Sequence, residues 1–153
     1  MAGSSIVTIS IEGAEEAVRK LQGTSSAVTG MQPVMGEIGK YLTRFFSSEV
    51  FASRGSIIGE PWPALNARYA VQKAKRYPGR PPLVRTGVMQ RSFAFVTGAT
   101  FARVTNTDRK FNYHQSDEPR SKMPQRVMMK VDEARAREIA RMIEAFIDAA
   151  GRR

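Results

Sequence analysis

The stretch FAFVTGATFARVTN, residues 93–106, decides the fold. Aromatic and β-branched residues fill both halves, 93–97 and 101–106, and Gly98-Ala99-Thr100 separates them. That pattern predicts two strands around a three-residue hairpin turn. Outward from it in both directions, the period of the apolar residues lengthens from strand to helix. Past the hairpin, Asp132 is a good cap for a helix in which Ile139, Met142, Ile143, Phe146 and Ile147 recur at i, i+3, i+4, i+7 and i+8. Gly151 stops it, and Arg152 and Arg153 suit its negative end. Before the hairpin, Met35, Ile38, Leu42, Phe45 and Phe46 lie on consecutive turns of a helix predicted over residues 32–51, with Pro33 tolerated in its first turn. The sum is an α+β chain: a small antiparallel sheet packed by two main amphipathic helices, with long irregular loops.

Shorter elements fill in around this frame. Residues 6–11, IVTISI, alternate as a strand. Ala14, Ala17, Val18 and Leu21 form the stripe of a short helix that Gly23 ends, and a connector follows to residue 30. Asn66 can cap a helix through residue 75 that Pro78 and Gly79 must end, and Thr86 is placed to cap a turn over residues 87–92. Residues 126–131 read as an edge strand. The chain is expected to be one domain over 1–153, with its N-terminal strand and short helix in 1–30. Irregular interaction loops are expected at 53–92 and 107–125.

Charge is the least uniform property of these 153 residues. There are 24 Lys and Arg against 14 Asp and Glu, a net charge of +10. Residues 66–126 hold thirteen of the cations against Asp108, Asp117 and Glu118, and so account for the whole excess. The densest part, KAKRYPGRPPLVR at 73–85, carries Lys73, Lys75, Arg76, Arg80 and Arg85 with no acid, and its prolines keep it out of regular structure. Such an excess is a solvated loop or attracts polyanions or acidic protein surfaces. Only Tyr69 and Tyr77 flank the cations, a thin base-stacking platform.

Composition also removes whole classes of chemistry. With no Cys there is no disulfide framework, thiol nucleophile or zinc-thiolate site, and one His excludes a site that needs two imidazoles. No run is long enough to span a membrane, and the first ten residues lack the pattern of a secretory signal. A Ser-His-Asp set can be drawn through His114 with Asp108 or Asp117, but nothing resembles a nucleophile elbow. His114 reads instead as a hydrogen-bonded structural residue. The expectation is a non-enzymatic protein with no cofactor and no metal. Trp62, the single tryptophan, stands between prolines in a loop, a position that suits either an anchor burying its ring or a hot spot for a partner.

Four segments together resemble one family. Phe51 followed by Gly59-Glu60-Pro61-Trp62-Pro63-Ala64-Leu65 resembles the F…G-x-P-W-x-x-L segment of phage virion morphogenesis proteins, the tail-completion and neck proteins of tailed bacteriophages. Leu83-Val84-Arg85-Thr86-Gly87-Val88-Met89-Gln90-Arg91-Ser92 looks like that family's L-x-x-T-G-x-L-x-x-S. Tyr113-His114-Gln115 and Pro124-Gln125-Arg126 are similar to Y-x-x-H-Q-x-G and P-x-R-x-F. With the terminal amphipathic helix, the likeness covers roughly residues 31–150. Asp117 stands where a Gly is usual, Met89 where a Leu is, and Met128 where an aromatic is common.

The resemblance implies a structural protein of the virion neck, assembled in the host cytoplasm. It would form a ring, commonly of six copies of itself, that ends the tail tube and joins it to the head connector. Its partners would be the tail tube protein and a connector or stopper protein, with passive contact to DNA in the channel. Trp62, Leu65, Thr86, Gly87, His114 and Arg126 would be loop anchors or interface residues, and Lys73, Lys75, Arg76, Arg80 and Arg85 interface cations. The alternatives are a head-completion protein or assembly factor of the same virion, and a basic nucleic-acid-binding module.

Overall fold

The structure is a computed structural model and describes residues 6–10, 30–117 and 123–152. Strand β1 is Ile6–Ser10; helix α1 (Gln32–Ser47), α2 (Glu49–Ala52), a 3-10 turn (Ser56–Ile58), α3 (Ala67–Arg76) and α4 (Val88–Arg91) follow. Then come strands β2 (Phe93–Thr97) and β3 (Phe101–Asn106), α5 (Phe111–Gln115) and the long α6 (Glu133–Gly151). The chain is α+β. The helix expected over residues 14–22 and the connector after it lie outside the described residues.

By contact the chain divides into two compact units. Among the described residues, one comprises 6–10, 30–43, 95–104 and 131–152. Its sheet has the order β1-β3-β2. The hairpin closes where the Gly98 N–H donates to the Phe101 carbonyl at 2.9 Å, the predicted three-residue turn. The Met31 N–H donates to Ala99 O in that turn at 3.2 Å and so ties down the entry to α1. Met35, Ile38 and Leu42, from the apolar stripe read in the sequence, are buried, and Met31 and Val34 are buried with them. Gly39 in the same helix leaves no room for a side chain without a shift, because a Cβ there would stand within 3.0 Å of three atoms of the Phe95 ring. In α6, Asp132 caps the first turn through its side chain and the Arg135 N–H, and Ile139 and Ala150 are buried.

The other unit holds Arg44–Ala94 and Thr105–Lys130 among the described residues. Its core is a chain of aromatic rings. Phe93 is the hub: it lies 6.2 Å from Phe46, 6.3 Å from Phe51 and 5.7 Å from Phe111, the last two edge to face. Phe46 packs on Phe45, and Phe51 meets Trp62 edge to face at 5.3 Å. Such pairs contribute about 0.5–1.5 kcal/mol each beyond the area they bury.

Four local expectations are corrected here. The helix predicted over 32–51 is interrupted at Ser48, where the Ser47 and Ser48 hydroxyls both donate to the Arg44 carbonyl. Back-bonding serines of this kind bend and end helices. Thr86 does not cap α4; Gly87, at φ 82°, occupies that position, and the Thr86 carbonyl instead accepts from Arg91 Nη2 at 3.3 Å. Residues 107–125, expected to be irregular, contain the single-turn helix α5. Residues 126–131 form no strand: the Arg126 N–H donates to the His114 carbonyl, and the side chains of Trp62 and Gln115 bond backbone groups of residues 127–129.

Candidate functional site

The candidate residues of the Arg44–Ala94 and Thr105–Lys130 unit divide into a clamp and a cavity. The clamp is built on Trp62. The ring is 8% exposed, and its Nε1–H donates to the Val127 carbonyl at 2.7 Å. The loop can fold beneath it because residue 55 is glycine: at φ 81°, a Cβ would stand within 3.0 Å of the Trp62 ring and of the Glu60 carbonyl. Gln115 works beside it. Its Oε1 accepts from the N–H groups of Met128 and Met129 at 2.8 and 3.0 Å, and its Nε2 donates to Met129 O at 2.8 Å. Arg126 completes the clamp: Nε and Nη2 donate to the Pro63 carbonyl at 3.0 and 2.8 Å, and Nη2 also to Ala64 O at 3.0 Å. Three side chains thus hold the 62–64 and 126–129 segments, one reason why an apolar extended stretch needs no strand partner. An exposed ion pair, Lys130 with Glu60 at 2.6 Å, joins the same two segments.

Against the Arg126 side of the clamp lies a cavity of about 410 Å³. Lys73, Arg85, Lys110, His114 and Arg126 line it together with Leu65, Leu83 and Met89. No carboxylate lines it among the described residues. Helix α3, capped by the Asn66 side chain through the Arg68 N–H, sets the position of Lys73. Lys73 is 6% exposed and Arg126 is 5% exposed. Lys73 Nζ donates to the Pro81 carbonyl at 2.5 Å, which pins the proline loop near Leu83, held at φ 65°. Burial first, then the neighbouring charge of Arg126, hold the Lys73 ammonium below the ordinary value of 10.5. Burial likewise lowers Arg126. Two buried cations in one cavity lining, with only neutral carbonyls as acceptors among the described residues, are an unusual arrangement, since buried charges are normally paired with opposite ones.

The sequence-expected residues separate accordingly. Lys73, Arg85, His114, Arg126 and Leu65 converge on this cavity. Lys75 and Arg76 line a second one of about 400 Å³ that shares Tyr69, Lys73 and Arg85 with the first. Arg85 lies over the Tyr77 ring, 5.8 Å from its centroid. Arg80 is exposed on the proline loop, and Thr86 and Gly87 belong to the start of α4. Of the five expected interface cations, Lys73 is buried and bonded, while Lys75, Arg76, Arg80 and Arg85 are exposed. Sequence reading passed over Gln115 as a backbone clamp and Lys110 as part of the cationic lining. The Gln of the His-Gln pair was the available signal for the first; for Lys110 there was none.

A family model, that of the phage virion morphogenesis family, matches residues 9–148. No curated protein and no solved structure matches the chain.

Proposed function

The chain belongs to the phage virion morphogenesis family, and from that premise we propose that it is a subunit of the virion neck, forming a ring that ends the tail tube and joins it to the head connector. Membership itself makes it a structural or assembly protein of a phage virion. The finer reading rests on that match, which extends over most of the chain. Its neighbours in this reading are further copies of itself, six to a ring, with the tail tube protein on one side and a connector or stopper protein on the other. A ring requires each subunit to present two different surfaces that close by rotation. The exposed cations Lys75, Arg76, Arg80 and Arg85 support one of these, a surface facing an acidic neighbour.

Native mass measurement of the neck complex released from particles tests the reading. A closed homo-oligomer of this chain is expected, and a single copy in the complex would overturn it. Absence of the chain from finished particles would favour an assembly factor instead.

A further inference from the structure

We propose that the cavity between Lys73, Arg85, Lys110 and Arg126 receives a carboxylate side chain with an adjacent apolar residue, carried by a segment of a neighbouring virion protein. The proposal takes from the neck reading only that such a neighbour exists.

The fold leaves the cavity electrostatically incomplete. Lys73 and Arg126 are buried in the lining of one cavity, and among the described residues their hydrogen-bond partners are the carbonyls of Pro81, Pro63 and Ala64. Carbonyls satisfy hydrogen bonds without cancelling charge. A guanidinium has five N–H donors and an ammonium three. Arg126 makes three bonds and Lys73 one, so each retains donors for a ligand. A carboxylate accepts from an ammonium and a guanidinium together through two oxygens, and such charge-assisted bonds are about twice as strong as neutral ones. Exposed Arg85 and Lys110 extend the positive lining.

Size and lining identify the class of occupant. About 410 Å³ is within the range of a small-ligand pocket and admits one or two side chains. Leu65, Leu83 and Met89 supply an apolar wall beside the cations. A DNA duplex offers phosphates on a convex rod, and is met by exposed cations that release counterions rather than by charges buried to this degree. An acidic residue next to an apolar one, on a peptide, satisfies both walls. The same contact offsets the repulsion between Lys73 and Arg126.

The test uses the full chain and a short acetylated, amidated peptide with one Leu-Glu step, beside its Leu-Gln counterpart, inorganic phosphate and a short DNA duplex. Trp62, next in sequence to the Pro63 carbonyl that Arg126 holds, provides the fluorescence signal, and NMR follows the titration of Lys73. The Glu peptide is expected to bind at least about tenfold more tightly than the Gln peptide and to raise the Lys73 titration midpoint. The Arg85→Gln, Lys110→Gln double variant, both exposed positions, should keep its melting temperature and lose about tenfold in peptide affinity. Equal binding of the two peptides, an unmoved Lys73 titration, or binding of duplex or phosphate as tight as that of the Glu peptide would overturn the proposal. Rings that form while no peptide discriminates would end this proposal and leave the neck reading standing. Discriminating peptide binding by a chain found singly in the neck would do the reverse.

Discussion

Trp62 donates its indole N–H to the Val127 carbonyl at 2.7 Å across a sequence separation of 65 residues. With Phe51 edge-on to its ring, the tryptophan joins the 62–64 loop both to the aromatic core of its unit and to the segment after Arg126.

Truncation to Trp62→Ala should therefore destabilise the chain by about 3–5 kcal/mol, the range for a buried aromatic. Trp62→Phe retains the ring packing and strands the Val127 carbonyl, at a cost of roughly 1–3 kcal/mol. Denaturant unfolding of the isolated chain measures both. A Trp62→Ala variant with wild-type stability and failed assembly would make the residue a partner hot spot rather than an anchor.

Gln115→Leu removes the acceptor of two backbone N–H groups and the donor to a third backbone group. The expected loss is on the order of 2–4 kcal/mol, since part-buried backbone groups left unpaired cost more than the net value of a bond. Amide exchange should locate the damage, with Met128 and Met129 losing protection first. Uniform protection in the variant would show that water replaces the clamp at no cost.

Two glycines of α1 should respond oppositely to the same change. Among the described residues nothing beyond its chain neighbours and its own helix backbone lies within 4 Å of a Cβ added at Gly36, so Gly36→Ala should stabilise by roughly 0.5–1 kcal/mol through helix propensity. Gly39→Ala drives a methyl into the Phe95 ring and should cost about 1–3 kcal/mol through overpacking. Thermal melts of the pair, which share a helix and a chemistry, isolate the steric contribution.

Lys73 sets an alkaline signature. Its pKa in the folded chain lies below 10.5, so between that lowered value and 10.5 the unfolded chain binds more protons than the folded one. Stability from this residue thus rises with pH through that interval, and the penalty of a buried ammonium is fully present below the lowered value. Compared with Lys73→Met, the wild-type chain should gain stability as pH climbs toward 10.5. A difference between the two that is flat with pH would remove the buried charge from the account.

Changing Arg76, Arg80 and Arg85 together to Gln should leave the melting temperature nearly unchanged, because exposed charges contribute little to stability. Joining of purified tails to filled heads should become slower, more so at low ionic strength, since rim charges act through encounter and register. Normal joining by the variant at two salt concentrations would make the 73–85 stretch a solvated loop.

Much of this chain is local in origin. The hairpin at 93–106, the stripe from Met35 to Phe46 and the Asp132 cap are recorded by residues within a few positions of one another, where periodicity, turn chemistry and capping act directly. Those features were legible without any structure, as were the family segments around Trp62, Thr86, His114 and Arg126. The break at Ser48 was also local, but two serines reaching back to one carbonyl leave no periodic trace. Tertiary structure alone decided the rest. An apolar stretch at 126–131 has the pattern of an edge strand, yet Trp62 and Gln115 bond the backbone of its residues 127–129 from elsewhere in the chain. In the sequence Lys73 reads as an interface cation and Arg126, separately, as a loop anchor or interface residue, and only folding places them beside one cavity, each dehydrated by what covers it. Local pattern records which face of an element is apolar. Which distant carbonyl a buried cation finds, and whether an opposite charge comes with it, depends on packing that sequence spacing does not encode.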